Sequence, residues 1–254
     1  MFNHRKTVSA VDKTPPGADR GNTAKERRMI VLWIIQSAFG LVGFGLILFI
    51  SAGRFNWVWG WVLVGTLGAF IAAHPLILLP INPGLLAERQ KGLFDKGIKP
   101  WDKPISLLAA GIFPIASWIV GGLDVRFRWT GPLPLYYHLV GVVVTVSGYV
   151  LFLWAMAANA FFSEGVRIQT ERGHTVAKGG PYRYVRHPGY VGAILSLLAT
   201  PLILGSPWAM IPGFAAVIMY IVRTYLEDRT LIEELPGYKE YIQEVSYRLF
   251  PGLW

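Results

Sequence analysis

Between Arg186 and Arg223 the chain reads His187-Pro-Gly-Tyr-Val-Gly-Ala-Ile-Leu-Ser-Leu-Leu-Ala-Thr-Pro-Leu-Ile-Leu-Gly-Ser-Pro-Trp-Ala-Met-Ile-Pro-Gly-Phe-Ala-Ala-Val-Ile-Met-Tyr-Ile-Val222, 36 residues without an Asp, Glu, Lys or Arg. As a single helix this stretch would be about 54 Å long at ~1.5 Å per residue, far more than the ~30 Å of a bilayer's hydrocarbon core. Gly205-Ser206-Pro207 interrupts it in the middle with turn-forming residues, so it reads as a hairpin of two short helices. A hairpin returns to the side it left. The polar segment ending in Arg186 and the helix continuing from Arg223 therefore share one face of the membrane.

Outward from this hairpin, four more uncharged apolar runs extend from about Met29 to Ala52, Trp57 to Leu79, Pro104 to Gly122 and Leu135 to Ala158. Each is long enough to cross a hydrocarbon core as a helix. The expected fold is all-α, a multi-pass transmembrane protein of about six segments, the last two forming the short hairpin. Composition agrees: 53% of the 254 residues are hydrophobic, 15% are charged and ten are Trp, too apolar for a soluble domain of this length.

The net charge of +9 is confined mainly to segments between the apolar runs. Lys and Arg crowd the arm up to Arg28, the segment from Asn82 to Lys103 and the segment from Asn159 to His187, whereas the alternate loops hold only Arg54, Arg126 and Arg128. Cytoplasmic loops carry the basic excess, so both termini are expected in the cytoplasm, of a bacterial inner membrane or of the endoplasmic reticulum. The basic charge is read as topogenic and lipid-facing, and no nucleic-acid partner is expected. Residues 1–28 lack the apolar core of a signal peptide and read as a disordered basic arm. Residues 29–254 read as one domain, with no internal repeat or heptad run. Cysteine is absent, which excludes disulfides, thiolate metal sites and cysteine nucleophiles.

The chemistry-bearing residues cluster late in the chain. Ser163 to Tyr190 is dense in polar side chains, and Tyr182, Tyr184, His187 and Tyr190 fall within nine positions beside Arg183 and Arg186. One reading is an interfacial belt of aromatic and basic anchors. The other is a pocket whose aromatic faces surround a cationic ligand while basic groups hold an anionic one. Composition leaves both open. After the hairpin, Arg223 and Glu227 stand at i and i+4 on one helical face, the spacing of an ordinary helical ion pair. The tail, Leu235-Pro-Gly-Tyr-Lys-Glu-Tyr241 and then Tyr247-Arg-Leu-Phe-Pro-Gly-Leu-Trp254, reads as a segment packed back against the membrane face. His74 and His138 lie inside spans and read as satisfied core histidines. No His, Asp and Glu set has zinc-site spacing, so no metal is expected.

Three features together resemble the integral-membrane methyltransferases that include isoprenylcysteine carboxyl methyltransferase and the phospholipid N-methyltransferases. They are Gly180-Pro-Tyr-Arg-Tyr-Val-Arg-His-Pro-Gly-Tyr190, the acidic pair Glu227-Asp228, and Gly237-Tyr-Lys-Glu-Tyr241 followed by Arg248-Leu-Phe-Pro-Gly-Leu-Trp254. The resemblance covers roughly the last hundred residues. It implies S-adenosylmethionine as cofactor, bound within residues 159–254 between the loop before the hairpin, the helix after it and the tail. Carried over by position, it implies that Gln169 and the run His174, Thr175, Val176 and Ala177 contact the cofactor, with Tyr182, His187, Pro188, Gly189 and Tyr190 completing the cradle. Glu227 resembles the acidic residue that holds the cofactor's amino-acid end, in preference to Asp228, and Arg223 the catalytic residue that orients a substrate near the methyl group. No strand, Gly-x-Gly-x-x-Gly and helix succession is present, so a Rossmann-type site is unsupported.

The implied reaction is methyl transfer to a hydrophobic or membrane-soluble acceptor, with carboxyl O-methylation of an isoprenylcysteine-like group foremost. A carboxylate acceptor needs no general base, whereas a thiol or amine would call on His187, Tyr190 or Glu227 as proton acceptor. The alternatives are a phospholipid or small-amine N-methyltransferase, an NADPH-dependent membrane reductase with a related hairpin, and a non-enzymatic membrane protein. Gly40, Gly43 and Gly45 in the first span suit helix packing within one chain or between two, so the oligomeric state is not legible.

Overall fold

The computed structural model describes residues 18–90 and 92–254, with the side chains of residues 18–26, 83, 87 and 94 outside that description. The described residues form helices and turns with no strand. Two long helices open the chain, α1 (Ala18–Ala52) and α2 (Val58–Ile81), and the short α3 (Pro83–Arg89) follows. A third crossing, Asp102–Phe127, joins α4 (Asp102–Leu107), a π-helical turn (Leu108–Ile112) and α5 (Phe113–Phe127). Then come α6 (Leu135–Ala158), α7 (Pro188–Leu204), α8 (Met210–Glu234) and the short α9 (Tyr238–Glu244). Among the described residues five helices are long and apolar enough to cross a membrane, and α7 is a shorter apolar helix. Phe39, Leu76 and Val143 stand exposed on these helices. Such a surface is a liability in water and the lipid face of a bilayer protein.

The hairpin forms where the sequence places it. Gly205 takes the left-handed conformation, φ +70°, that ends α7, and a Cβ there would come within 2.7 Å of the His138 ring. The hairpin's second arm is not short, however: α8 has 25 residues. The charges from Arg223 onward end the apolar run without ending the helix: Arg223, Thr224, Asp228 and Thr230 are buried while Tyr225 and Arg229 are exposed, which keeps one helical face inward. The disordered arm expected over residues 1–28 is also corrected, since α1 is already helical from Ala18. Ala, Lys, Glu and Arg in residues 18–28 are good helix formers. The part of that expectation covering residues 1–17 lies outside the described residues.

The third crossing is longer than its uncharged stretch. Asp102 and Asp124, both buried, sit at its two ends. Its π turn has a local cause: Pro114 has no N–H to offer the preceding turn, and the Phe113 N–H bonds back to the Leu108 carbonyl, five residues earlier. This widens the helix where Ala109 is buried against its neighbours.

The α6 and α7 helices pack backbone to backbone. A Cβ on Gly148 would lie 2.5 Å from the Gly192 carbonyl, and one on Gly141 would lie 2.7 Å from the Ile203 nitrogen. Small residues let helices approach this closely where lipid removes the hydrophobic drive for association. His74 and His138 are satisfied as expected, with Nδ1 of each 2.8 Å from a carbonyl, of Phe70 and Ile203 respectively. The ends of α2, α6 and α8 and the starts of α4 and α7 converge at one end of the bundle. The segments they carry, residues 82–101, 159–187 and 235–254, meet there.

Candidate functional site

Residues from all three segments line a cavity of about 300 Å³. The loop between α6 and α7 forms its outer wall and is held from several sides. The Asp102 carboxylate accepts from the Val166 N–H at 2.7 Å, and Gln169 Nε2 donates to the Phe161 carbonyl at 2.8 Å. Arg167, buried, is engaged by Glu88, Asp95 and Glu171. The tail closes the opposite side. The Arg186 and His187 N–H groups donate to the Tyr247 and Arg248 carbonyls at 2.9 and 3.0 Å, and the Tyr241 hydroxyl donates to the Tyr182 carbonyl at 2.6 Å. The tail is thus packed back on the loop, as its aromatic composition predicted.

Ten of the twelve site residues expected from the sequence line this cavity: His174, Thr175, Val176, Ala177, Tyr182, His187, Gly189, Tyr190, Arg223 and Glu227. Gln169 and Pro188 stand behind the wall. The Gln169 side chain is fully buried, with its amide donating to Phe161 and its carbonyl accepting from Arg172 Nη1 at 2.5 Å, so it props the loop instead of facing the cavity. Pro188 opens α7 from a buried position, where its fixed φ suits the first helical turn.

Arg223 and Glu227 do not make the helical ion pair that their spacing allows. Arg223 Nε and Nη2 donate to the two oxygens of Asp102, at 2.7 and 3.1 Å, and Nη2 also donates to the Glu164 carbonyl at 2.6 Å. Glu227 instead accepts a short hydrogen bond from the Tyr190 hydroxyl. Arg223 lies 5.2 Å from the centre of the Tyr190 ring, a cation–π contact that fixes this ring from behind. One turn of helix therefore separates two roles: Arg223 anchors the third crossing, and Glu227 presents a carboxylate to the cavity.

His174 forms part of the wall as a neutral ring. Burial holds its pKa down to about 4, helped by the positive charges of Arg167 and Arg172. Its Nδ1 accepts from the Gln169 N–H at 3.2 Å, which leaves the proton of the neutral ring on Nε2. The ring stacks on Phe161 with centroids 4.5 Å apart. Burial likewise raises Tyr182 well above the ordinary phenol range, so its hydroxyl, which accepts from Asn159 Nδ2 at 3.3 Å, stays protonated. Four lining residues were given no site role from the sequence: Arg89 sat among charges read as topogenic, Glu164 lay in a polar loop, and Tyr238 and Tyr241 were read as part of the tail's packing.

Fold and site define a class: an all-α multi-pass membrane protein with a polar, aromatic cavity built at one end of the bundle, mostly from its last hundred residues. Residues 139–233, from α6 through most of α8, match the model of the isoprenylcysteine carboxyl methyltransferase (ICMT) family, so the resemblance drawn from the sequence is borne out over this region. Similar curated proteins include a probable protein-S-isoprenylcysteine O-methyltransferase of Oryza sativa subsp. indica, 28% identical over 113 residues (43% of this chain and 59% of the relative). The cobalt-zinc-cadmium resistance protein CzcN of Cupriavidus metallidurans is 28% identical over 144 residues (56% and 60%). The protein-S-isoprenylcysteine O-methyltransferase of Saccharomyces cerevisiae is 27% identical over 133 residues (51% and 54%). The matches thus span 54% to 60% of these relatives' own lengths.

Proposed function

We propose that this protein is a membrane methyltransferase that binds S-adenosylmethionine in the cavity and methylates the carboxylate of an isoprenylcysteine-like, membrane-soluble acceptor. The observation that carries the reading is the placement of Glu227, a carboxylate facing a cavity walled by Tyr182, Tyr190, Tyr238 and a neutral His174. A carboxylate among aromatic faces is a receptor for a cationic ligand, and the cofactor carries an ammonium and a sulfonium. The donor set and the volume fit it. A cavity of about 300 Å³ is within the range of small-molecule sites, and Glu227 would hold the ammonium with Val176 and Leu235 offering apolar wall to the base.

Bound there, S-adenosylmethionine would supply an electrophilic methyl group to the acceptor's carboxylate oxygen, with the C–S electron pair leaving on sulfur and no proton transfer required. The chain's own contribution is positioning and exclusion of water. Tyr190 holds the Glu227 carboxylate in one orientation. The Asp102–Arg223 pair ties the loop to the bundle. The docked tail closes the side opposite the loop. We assign this end of the bundle to the cytoplasm, since the basic segments gather there and the cofactor is water-soluble.

The test is titration of S-adenosylmethionine into the detergent-purified protein and its Glu227→Gln variant, followed by transfer of labelled methyl to N-acetyl-S-farnesylcysteine. Binding by the parent, weakened about tenfold or more in Glu227→Gln, is the expected result. A folded parent that binds nothing at about millimolar cofactor, a concentration that detects interactions of only ~4 kcal/mol, overturns the reading.

A further inference from the structure

Four of the cavity-lining residues among those described are arginines: Arg89, Arg167, Arg186 and Arg223. Three are fully engaged. Arg167 is held by Glu88, Asp95 and Glu171. Arg186 has both oxygens of Asp228, and Arg223 both oxygens of Asp102. Arg89 differs. Among the described residues its ion pair is a loose contact of Nη2 with Glu164 at 3.4 Å, and its buried Nε has no hydrogen-bond partner.

An arginine fork with an idle donor, side chain 13% exposed, is an incomplete arrangement. Guanidinium donors bind carboxylates through two parallel hydrogen bonds when geometry allows, and a buried donor left unpaired is costly. Burial holds the Arg89 guanidinium below its ordinary range, opposed chiefly by Glu164, while Arg223 adds to the depression. The local field thus favours a further negative charge. The cation also stands where an amphiphile would turn. A second, apolar cavity of about 250 Å³ lies among the spanning helices, and it shares Ala110, Phe152 and Tyr220 with the first.

We propose that Arg89 is the receptor for the acceptor's anionic headgroup: a membrane-soluble carboxylate takes up the idle fork, displacing Glu164, while its hydrocarbon lies in the apolar cavity. The inference rests on the proposed methyl transfer for its purpose, but the recognition it describes is a binding event measurable without turnover. Arg89 is the selective group, because it distinguishes a carboxylate from a neutral acceptor of the same shape. Glu164 is the resident counter-ion that keeps the cavity from holding an unpaired cation when no acceptor is bound.

The experiment compares binding of N-acetyl-S-farnesylcysteine and its primary amide, in detergent, to the parent, Arg89→Gln, Arg89→Lys and Glu164→Gln, with an S-adenosylmethionine titration on each protein. The parent is expected to prefer the carboxylate about ten- to hundredfold, the value of a charge-assisted hydrogen-bond pair. Arg89→Gln removes the preference, Arg89→Lys keeps part of it, and Glu164→Gln strengthens carboxylate binding without changing amide binding. The denaturation temperature of Arg89→Gln in detergent stays close to the parent's, which separates selectivity from loss of structure. Preference surviving in Arg89→Gln, or a parent without preference, overturns the role of Arg89 and leaves the cofactor reading standing. A parent that binds no S-adenosylmethionine overturns the proposed function, while the amphiphile preference still decides the assignment of Arg89.

Discussion

Arg186 grips Asp228 with both arms of its guanidinium, Nε donating to Oδ1 at 2.8 Å and Nη2 to Oδ2 at 2.9 Å. The same carboxylate accepts from Tyr238 and from Arg248 Nε, each at 2.8 Å, and His187 Nε2 lies 3.3 Å away. The loop before the hairpin, the helix after it and the C-terminal tail therefore meet on one fully buried side chain. Consecutive residues on a helix point about 100° apart, so Glu227 can face the cavity while Asp228 faces this latch. The adjacent acidic residues thus divide ligand contact from architecture.

Asp228→Ala removes the acceptor and leaves Arg186 buried with an unmatched charge. Breaking a buried pair this way costs about 3–5 kcal/mol, and a clear fall in denaturation temperature in detergent is expected. Hydrogen exchange of residues 245–254 should rise with it, because the tail loses its anchor. Arg248→Ala, whose side chain is 28% exposed, should cost about 1 kcal/mol or less. Equal effects from the two variants would show that the latch is not centred on Asp228.

Asp102 and Arg223 are 121 positions apart yet form one unit, so their substitutions should not add. Asp102→Asn and Arg223→Gln are each expected to destabilise the protein, and the double variant to recover about 1–3 kcal/mol relative to the sum. Chemical denaturation of all four proteins under one detergent condition measures this coupling. Additive effects would mean that the two residues act independently, which their bidentate geometry excludes.

What the sequence made legible, and what it hid, follows from the range of each signal. Apolar run length and the Gly205 break are local, and they placed the five long apolar helices and the hairpin that α7 forms with α8. The aromatic and basic density from Tyr182 to Tyr190 is also local, and it led to a loop that lines the cavity. The Asp102–Arg223 pair leaves no local trace, and neither does the idle fork of Arg89, since a lysine or arginine between spans is expected for topology alone. The π turn was hidden because Pro114 at the start of a helix is ordinary, and only the Leu108–Phe113 bond shows what it does to the turn before it. The full extent of α8 is only partly legible, because charge ends the apolar run while helical spacing of buried residues continues through Thr224, Asp228 and Thr230.

Glycines in this chain divide by what surrounds them. Gly148→Ala would push a methyl into the Gly192 carbonyl and the Ser196 hydroxyl, 2.5 and 2.6 Å from the new carbon. Overpacking of this kind costs about 1–3 kcal/mol, and forcing α6 from α7 should also weaken cofactor binding, because α7 carries Gly189 and Tyr190. Gly43→Ala has open space around it and exchanges glycine for a better helix former, so it should be neutral or stabilising by up to ~1 kcal/mol. Thermal denaturation of the two variants tests the contrast, and a loss in Gly43→Ala as large as that in Gly148→Ala would point to a second chain packed on α1.

His174 predicts an acid sensitivity whose sign is fixed by its surroundings. Its pKa is about 4 in the folded loop, lowered from 6.5 by burial and by Arg167 and Arg172. Between these two values the unfolded loop binds a proton that the folded loop does not. The stability contributed by neutral His174 is therefore complete above about pH 6.5 and is lost progressively as pH falls toward 4. Protonation would also place a hydrogen on Nδ1, where the Gln169 N–H now donates, and break the bond that closes the Gln169–His174 turn. His174→Gln should flatten this part of the dependence of denaturation temperature on pH while preserving the plateau near neutrality. Hydrogen exchange of residues 169–177 should rise in the parent between pH 6.5 and 4 and change less in the variant. An identical slope in both proteins would assign the acid response to other groups and leave His174 as packing against Phe161 alone.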